Sequence, residues 1–108
     1  MAATPSVLEQ LTARRRDMES LVAEVAAGRI SLNEVLSRSD HDATAGFIYL
    51  VKVAEALPGV GKVRARRVLA DFSLGERTRV SEVPRATRAP LVAALSEARS
   101  EARSAALV

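Results

Sequence analysis

The chain has 108 residues, of which 48% are hydrophobic, and this size suits one compact domain that buries roughly two thirds of its unfolded surface rather than a two-domain enzyme. Cysteine is absent and His41 is the only imidazole, which excludes disulfides, thiolate catalysis and cysteine-based zinc sites. The net charge is +3, and 14 of the 16 basic residues are arginines, which favours phosphate-bearing partners. No stretch approaches the roughly 18 apolar residues of a membrane span and no leader pattern is visible, so we expect a cytoplasmic protein without membrane, metal or cofactor.

The first predicted helix covers residues 7–27. Ser6 and Glu9 form a capping-box pattern in front of it, and Gly28 supplies a stop at its end. Apolar residues recur between them at helical spacing and predict one buried stripe. The stripe consists of Leu8, Leu11, Met18, Leu21, Val22 and Val25.

Two further helices are predicted before the middle of the chain. Ser31 and Glu34 repeat the capping-box pattern at the start of a short helix over residues 32–38. A polar loop follows and contains His41 between two aspartates, where a solvated imidazole is commoner than a metal ligand. A new apolar stripe then predicts a largely buried helix over residues 44–56. That stripe consists of Phe47, Leu50, Val51, Ala54 and Leu57.

The segment over residues 57–69 carries the strongest functional signal. It reads Leu-Pro-Gly-Val-Gly-Lys-Val-Arg-Ala-Arg-Arg-Val-Leu, in which Pro58 ends the preceding helix and two glycines permit conformations barred to other residues. The helix that follows Gly61 presents free N–H groups and the positive end of its dipole, which suits a phosphate. The apolar stripe and the basic residues of this helix lie on different sides of it. The stripe is Ala65, Val68, Leu69 and Phe72, and the basic residues are Lys62, Arg64, Arg66 and Arg67.

The spacing of this motif decides which kind of phosphate it suits. A mononucleotide P-loop is excluded because the two glycines are only two positions apart, Val63 follows Lys62, and a helix precedes the turn. A basic turn between two helices instead suits the backbone of a duplex nucleic acid. The alternative at this point is a plain helix hairpin with solvated arginines. With one tyrosine and two phenylalanines, stacking on unpaired bases has little support, so double-stranded DNA is favoured over single strands.

Downstream bases extend the expected surface. Residues 52–88 carry nine basic and four acidic side chains, against five and seven in residues 1–51. Pro90 suits only a first helical turn, so the last helix is expected to run from about residue 88 to about residue 105. The downstream bases of the predicted surface are Arg77, Arg79, Arg85 and Arg88.

The Pro-Gly-Val-Gly-Lys-Val-Arg-Ala core resembles the helix-hairpin-helix and helix-two-turns-helix DNA-binding elements, and it is most similar to the actinobacterial integration host factor family. The similarity extends over about residues 30–95. Downstream the family usually has a denser basic cluster, whereas Thr78 and Ser81 occupy two of those positions here and Arg79 remains. The resemblance implies an all-helical, nucleoid-associated protein that grips DNA through phosphates, bends or compacts it and assists site-specific recombination such as phage integration.

The sequence therefore predicts an all-α bundle of about five helices with a long N-terminal helix (residues 1–29) and a helix-two-turns-helix core (residues 30–108), together forming one domain. We expect a monomeric, non-enzymatic protein of the nucleoid that binds double-stranded DNA, with a phage integrase complex as a further partner. The alternatives are a structured-RNA or ribosome-binding module that uses the same turn, and a helical interaction protein that pairs through its first helix. The expected DNA-binding residues are Pro58, Gly59, Val60, Gly61, Lys62, Val63, Arg64, Arg66, Arg67, Arg77, Arg79, Arg85 and Arg88.

The three consecutive arginines at residues 14–16 fan across a wide arc of the first helix, because successive residues are about 100° apart. Two interpretations stay open for them. They form a solvated face paired with Asp17 and Glu19, or they make a secondary DNA contact.

Overall fold

The computed structural model describes the backbone of residues 6–106 and side chains as far as residue 101. Within that range the chain forms six α-helices and one 3-10 helix, which confirms the all-α prediction. The elements are α1 (Val7–Ala26), α2 (Leu32–Arg38), α3 (Ala43–Phe47), α4 (Leu50–Ala56), α5 (Lys62–Asp71), a 3-10 helix (Val80–Glu82) and α6 (Arg85–Ala106). The outer ends of the two predicted ranges, residues 1–5 and 107–108, lie outside the described residues. None of the described helices is both long and apolar enough to cross a membrane.

The first two helices begin at the predicted caps. The Glu9 N–H donates to Ser6 Oγ at 3.1 Å, and the Glu34 N–H donates to Ser31 Oγ at the same distance. At the end of α1, Gly28 adopts a φ of 77°. The N–H groups of Gly28 and of the residue after it then bond back to the carbonyls of Val25 and Glu24 in the Schellman pattern, which satisfies two carbonyls of the last helical turn.

The core is centred on α4, which packs against α1 on one side and α5 on the other, while α6 packs on α5 and α2. Leu50, Val53 and Ala54 of α4 have no exposed surface. From α6 the core receives Leu91 and Leu95, both at most 1% exposed. α1 and α5 thus bury their apolar sides against α4, and α6 extends the same core over α5 and α2.

Only the second half of α1 joins this core. Leu21 and Val25 are buried, whereas Val7, Leu8 and Leu11 are 72%, 74% and 61% exposed. The apolar stripe expected along the whole helix is therefore buried only from the middle of α1 onwards.

The single helix predicted over residues 44–56 is wrong, because the chain breaks at Ile48 and Tyr49. Both residues are extended, and Tyr49 forms an isolated antiparallel bridge with Arg79. The Val80 N–H donates to Ile48 O at 2.9 Å, and the Leu50 N–H donates to a carbonyl of the opposite segment at 2.8 Å. These long-range bonds replace helical ones. Phe47, expected in the core, is 44% exposed as a result.

The predicted start of the last helix is also wrong, since α6 begins at Arg85 and contains Pro90 in its second turn. Proline lacks the N–H that would bond to the carbonyl of Ala86. Both residues are exposed, so water can satisfy that carbonyl. The opposite side of α6 buries Leu91 and Leu95, and this burial outweighs the local loss.

Candidate nucleic-acid interface

The turn between α4 and α5 is built around a buried valine with a glycine on each side. Leu57 leaves the helix with a ψ of 127°, and the Val60 N–H donates to its carbonyl at 3.3 Å. Val60 is only 2% exposed, so it fixes the turn to the core, and the parts of the turn that a ligand can reach are the glycines on either side of it. Gly59 and Gly61 have φ values of 80° and 81°, a region that side-chain-bearing residues rarely adopt.

The two glycines are required for different reasons. A Cβ on Gly59 would lie 3.2 Å from Arg99 Cγ, so Gly59 leaves room for an arginine of α6. A Cβ on Gly61 would meet no atom within 4 Å. Gly61 therefore faces open space, with a φ of 81° and a ψ of 159° that are essentially confined to glycine.

The N-terminus of α5 opens onto the same space as Gly61. Gly61 is the N-cap and supplies no side-chain hydrogen bond, and its carbonyl accepts from the Ala65 N–H at 3.0 Å. The first three N–H groups of the helix, those of Lys62, Val63 and Arg64, have no partner within the helix and project from its positive end. Val63 is 80% exposed, so no side chain of the core covers this end. The arrangement can accept an anion at the surface.

The basic side chains of α5 divide into two groups. Arg66 donates to Glu55 at 2.8 Å and to Glu76 at 2.7 Å, and these partners, foremost the hydrogen bond that Glu55 accepts, raise the pKa of Arg66. In contrast, Lys62 and Arg64 have no carboxylate at ion-pair distance among the side chains that the structure describes. Two of the expected contact residues are thus free to meet a phosphate, whereas Arg66 is neutralised within the protein.

Arg67 has an intermediate position. Its Nη2 lies 3.6 Å from Glu101 Oε2, and both side chains are more than 60% exposed. An exposed ion pair of this length contributes little to stability, and the carboxylate is easily replaced by another anion. Arg67 therefore stays available.

Arg88 connects α6 to the loop after α2. Its two terminal nitrogens donate to both carboxylate oxygens of Asp40 at 3.0 and 2.9 Å, and Nη1 also lies 3.3 Å from the carbonyl of Leu36. The hydrogen bond from Arg88 lowers the pKa of Asp40. Because the Arg88 side chain is only 17% exposed, its geometry indicates a structural role. Arg85 lies 3.8 Å from the same carboxylate but is 82% exposed.

Arg77 and Arg79 lie apart from the turn and differ from each other. Arg77 is exposed and makes no ion pair with any described carboxylate. Arg79 lies on aromatic rings, with its guanidinium carbon 3.8 Å from the Phe47 centroid and 4.6 Å from the Tyr49 centroid. The expected surface therefore divides into the turn with α5 and a second place around Arg79.

Arg99 is absent from the contact residues expected from the sequence, all of which lie within residues 58–88. It lies against Gly59 and lines a cavity of about 270 Å³ together with Pro58 and Val60. Helical spacing could have revealed it, because Arg99 lies four residues after Leu95 of the buried α6 stripe. It adds a cation directly beside the turn.

The arginines of α1 form no ion pair with Asp17 or Glu19 among the described residues. Arg14 lies with its guanidinium carbon 5.6 Å from the Phe47 centroid, and Arg15 lines the neighbouring depression. All three arginines are exposed, so this face is solvated, but the expected pairing with these acids does not form. His41 is exposed, and no group of three potential metal ligands occurs within residues 6–106.

Comparisons with known proteins place this geometry in a family. The sequence model of the S13-like H2TH domain matches residues 25–95. The integration host factor of Streptomyces coelicolor is 31% identical over 75 residues, which cover 69% of this chain and 70% of that protein. The integration host factor of Mycobacterium tuberculosis is 29% identical over 75 residues and is covered to 71%.

A solved structure has the same fold. It is described as sIHF bound to an 8-bp palindromic DNA, and it superposes with a TM-score of 0.69 at 27% identity. The match covers 82% of this chain and 96% of the solved one. The matched domain includes the Gly-Val-Gly turn and α5, and the agreement of sequence and fold leads to one conclusion: the chain belongs to the S13-like H2TH domain family and to the integration host factors of the actinobacterial type.

Proposed function

We propose that the chain is a nucleoid-associated protein that binds double-stranded DNA through the phosphate backbone, largely without regard to base sequence. The observation that carries the proposal is the uncapped N-terminus of α5, which opens beside Gly61 with Lys62 and Arg64 unpaired. Backbone N–H groups and free cations at one place suit a phosphate of a duplex. The solved relative bound to DNA supports this choice of ligand.

The structure refines the set of residues proposed to bind. The backbone at Gly59, Val60 and Gly61 shapes the phosphate site, and Pro58 ends α4 in front of it. Arg66 and Arg88 support the surface through Glu55, Glu76 and Asp40 rather than by contacting DNA. The proposed phosphate contacts come from the N–H groups at the start of α5 and from the side chains of Lys62, Arg64, Arg67, Arg77 and Arg99, with Arg85 at the edge.

We propose bending or compaction of DNA and assistance to site-specific recombination, including a phage integrase complex, as the biological outcome. Family membership supports these roles. The chain acts as a monomer and a non-enzymatic component in this proposal.

A salt series tests the binding proposal. About five neutralised phosphates predict that log affinity falls against log salt with a slope of about −4 to −5 on a duplex of about 20 base pairs. The double variant Lys62→Gln/Arg64→Gln should bind more weakly and reduce the slope by about 2. Arg38→Gln is the control and should leave the slope unchanged, because it removes one positive charge from an arginine that is already paired with Glu34 at 3.2 Å.

Three duplex results contradict the proposal: no binding, a wild-type slope near −1, or equal losses in the double variant and the control. A matched RNA hairpin and the single strand are measured in the same series, because an RNA-binding module is the alternative. Tighter binding to the hairpin than to the duplex would replace DNA by structured RNA as the ligand.

A further inference from the structure

Two of the three aromatic side chains of the protein lie together on the surface. Phe47 is 44% exposed and Tyr49 is 38% exposed, while Ile48 between them is only 4% exposed. Phe47 ends α3, whereas Ile48 and Tyr49 are extended, and Ile48 enters the core while the aromatic residues on either side of it stay at the surface. Both rings are thus displayed to solvent.

Arg79 completes this aromatic pair from the opposite segment. Its guanidinium carbon lies 3.8 Å from the Phe47 centroid and 4.6 Å from the Tyr49 centroid, and its Nη1 donates to the Phe47 carbonyl at 2.6 Å. The planar cation is therefore held in place. No carboxylate of the described side chains pairs with this guanidinium, so its charge is not neutralised within the protein.

The surroundings of the three residues are basic. They line a depression of about 570 Å³ that also contains Arg15 and Lys52, and Glu19 is the single acid in its lining. A further cation, Arg14, lies 5.6 Å from the Phe47 centroid. We call Phe47, Tyr49 and Arg79 with these cations the aromatic patch.

This combination matches a particular ligand chemistry. Aromatic rings and guanidinium planes stack on nucleobases that have left the base stack, and cations beside them bind the adjoining phosphates. The patch precedes α4, whereas the Gly61 turn follows it. Since α4 has seven residues, its length is about 10 Å, which corresponds to about three base-pair steps of a duplex.

We propose that the aromatic patch is a stacking site for nucleobases displaced from a DNA duplex, so that the chain prefers DNA with a bulged or unpaired step over an intact duplex. The inference rests on the proposed function for its ligand, DNA. It assigns a separate recognition task to a separate surface, because the turn holds phosphates and the patch holds an unstacked base.

Paired binding measurements test this inference. An intact duplex of about 20 base pairs is compared with the same duplex carrying a two-nucleotide bulge, by fluorescence anisotropy at constant salt. We expect about tenfold tighter binding to the bulged duplex, within the range of one base–aromatic stack. The variant Phe47→Ala/Tyr49→Ser should bind both duplexes alike, with intact-duplex affinity within about twofold of the wild type, since the turn supplies that binding.

Two controls separate stacking from loss of apolar surface. Leu8→Ala shortens an apolar side chain that is 74% exposed on α1, and it should keep the preference. Phe47→Leu keeps the apolar bulk but has no π face, and it should lose most of the preference for the bulged duplex. A 2-aminopurine in the bulge reports stacking directly: its fluorescence should fall when the wild type binds and change less with Phe47→Leu.

The outcomes are distinguishable from those of the binding proposal. The stacking site is overturned if the wild type binds both duplexes with equal affinity. It is also overturned if Phe47→Leu keeps the preference for the bulged duplex and quenches the 2-aminopurine fluorescence as fully as the wild type does. Neither result alters the expectation for Lys62→Gln/Arg64→Gln, which should weaken binding to both duplexes equally. If the double variant binds the intact duplex as tightly as the wild type does, the binding proposal is overturned instead.

Discussion

Replacing Gly61 separates the backbone requirement of the turn from its electrostatic requirement. A Cβ at this position meets no neighbouring atom, so Gly61→Ala changes nothing by packing and its effect is backbone strain alone. At a φ of 81° and a ψ of 159° that strain is about 1 to 3 kcal/mol. For a domain of this size it lowers the Tm by roughly 4 to 20 °C and leaves the protein folded, because typical domains are stable by about 5 to 15 kcal/mol.

Gly61→Asp adds a carboxylate to the same strain. A negative charge about 4 Å from a bound phosphate costs about 4 kcal/mol at an effective dielectric constant of 20. We therefore expect Gly61→Asp to bind a duplex at least about 100-fold more weakly than Gly61→Ala at low salt. The strain cancels from this comparison because both variants carry it.

The assay is fluorescence anisotropy with a duplex of about 20 base pairs, together with thermal melting followed by circular dichroism. Gly75→Asp is the matched control, because Gly75 also faces open space but lies after α5, away from its N-terminus. It should bind within about threefold of the wild type. If Gly61→Asp binds as tightly as Gly61→Ala, the anion site at α5 is refuted.

Four side chains yield further predictions. Arg88→Gln should lower the Tm by several degrees through loss of its bonds to Asp40, and it should leave the salt slope of duplex binding unchanged; a reduced slope would instead show a DNA contact. The pKa of Asp40 is lowered by Arg88, so its stabilising effect is complete above the ordinary value of 3.8 and is lost as the pH falls through the lowered pKa. The difference in Tm between the wild type and Asp40→Asn should therefore shrink as the pH falls below about 4, and a difference that stays constant there would contradict this. Finally, Arg64→Gln should reduce the salt slope by about 1, whereas Arg66→Gln should not, because Arg66 is already paired with two carboxylates; equal slopes for the two variants would contradict the division of α5 into free and neutralised bases.

Local sequence patterns predicted much of the fold. The caps at Ser6 and Ser31 formed as expected, and α2 has the predicted bounds. These features depend on hydrogen bonds within three or four residues, so neighbouring residues are sufficient to specify them. The same holds for the turn at Gly59 and Gly61, whose backbone requirement is visible in the residue types.

The two wrong helix boundaries arose where distant segments compete with local preference. The break at Ile48 depends on hydrogen bonds to the segment around Arg79, about thirty residues away. The run Phe47, Ile48 and Tyr49 consists of aromatic and β-branched residues that favour extended structure, and this was the available signal. Likewise, burial of one side of α6 permits Pro90 in its second turn.

The chemistry of the candidate surface divides in the same way between sequence and structure. The sequence by itself determined the glycine turn, the start of α5 and the identity of the basic residues, because these follow from local conformation and residue type. Only the tertiary structure decided which cations are free, since Arg66 and Arg88 are neutralised by carboxylates that are 10 or more residues away. It also placed Phe47 and Tyr49 at the surface and Ile48 between them in the core, because the hydrogen bonds that break the helix there come from a distant segment, which no local pattern encodes.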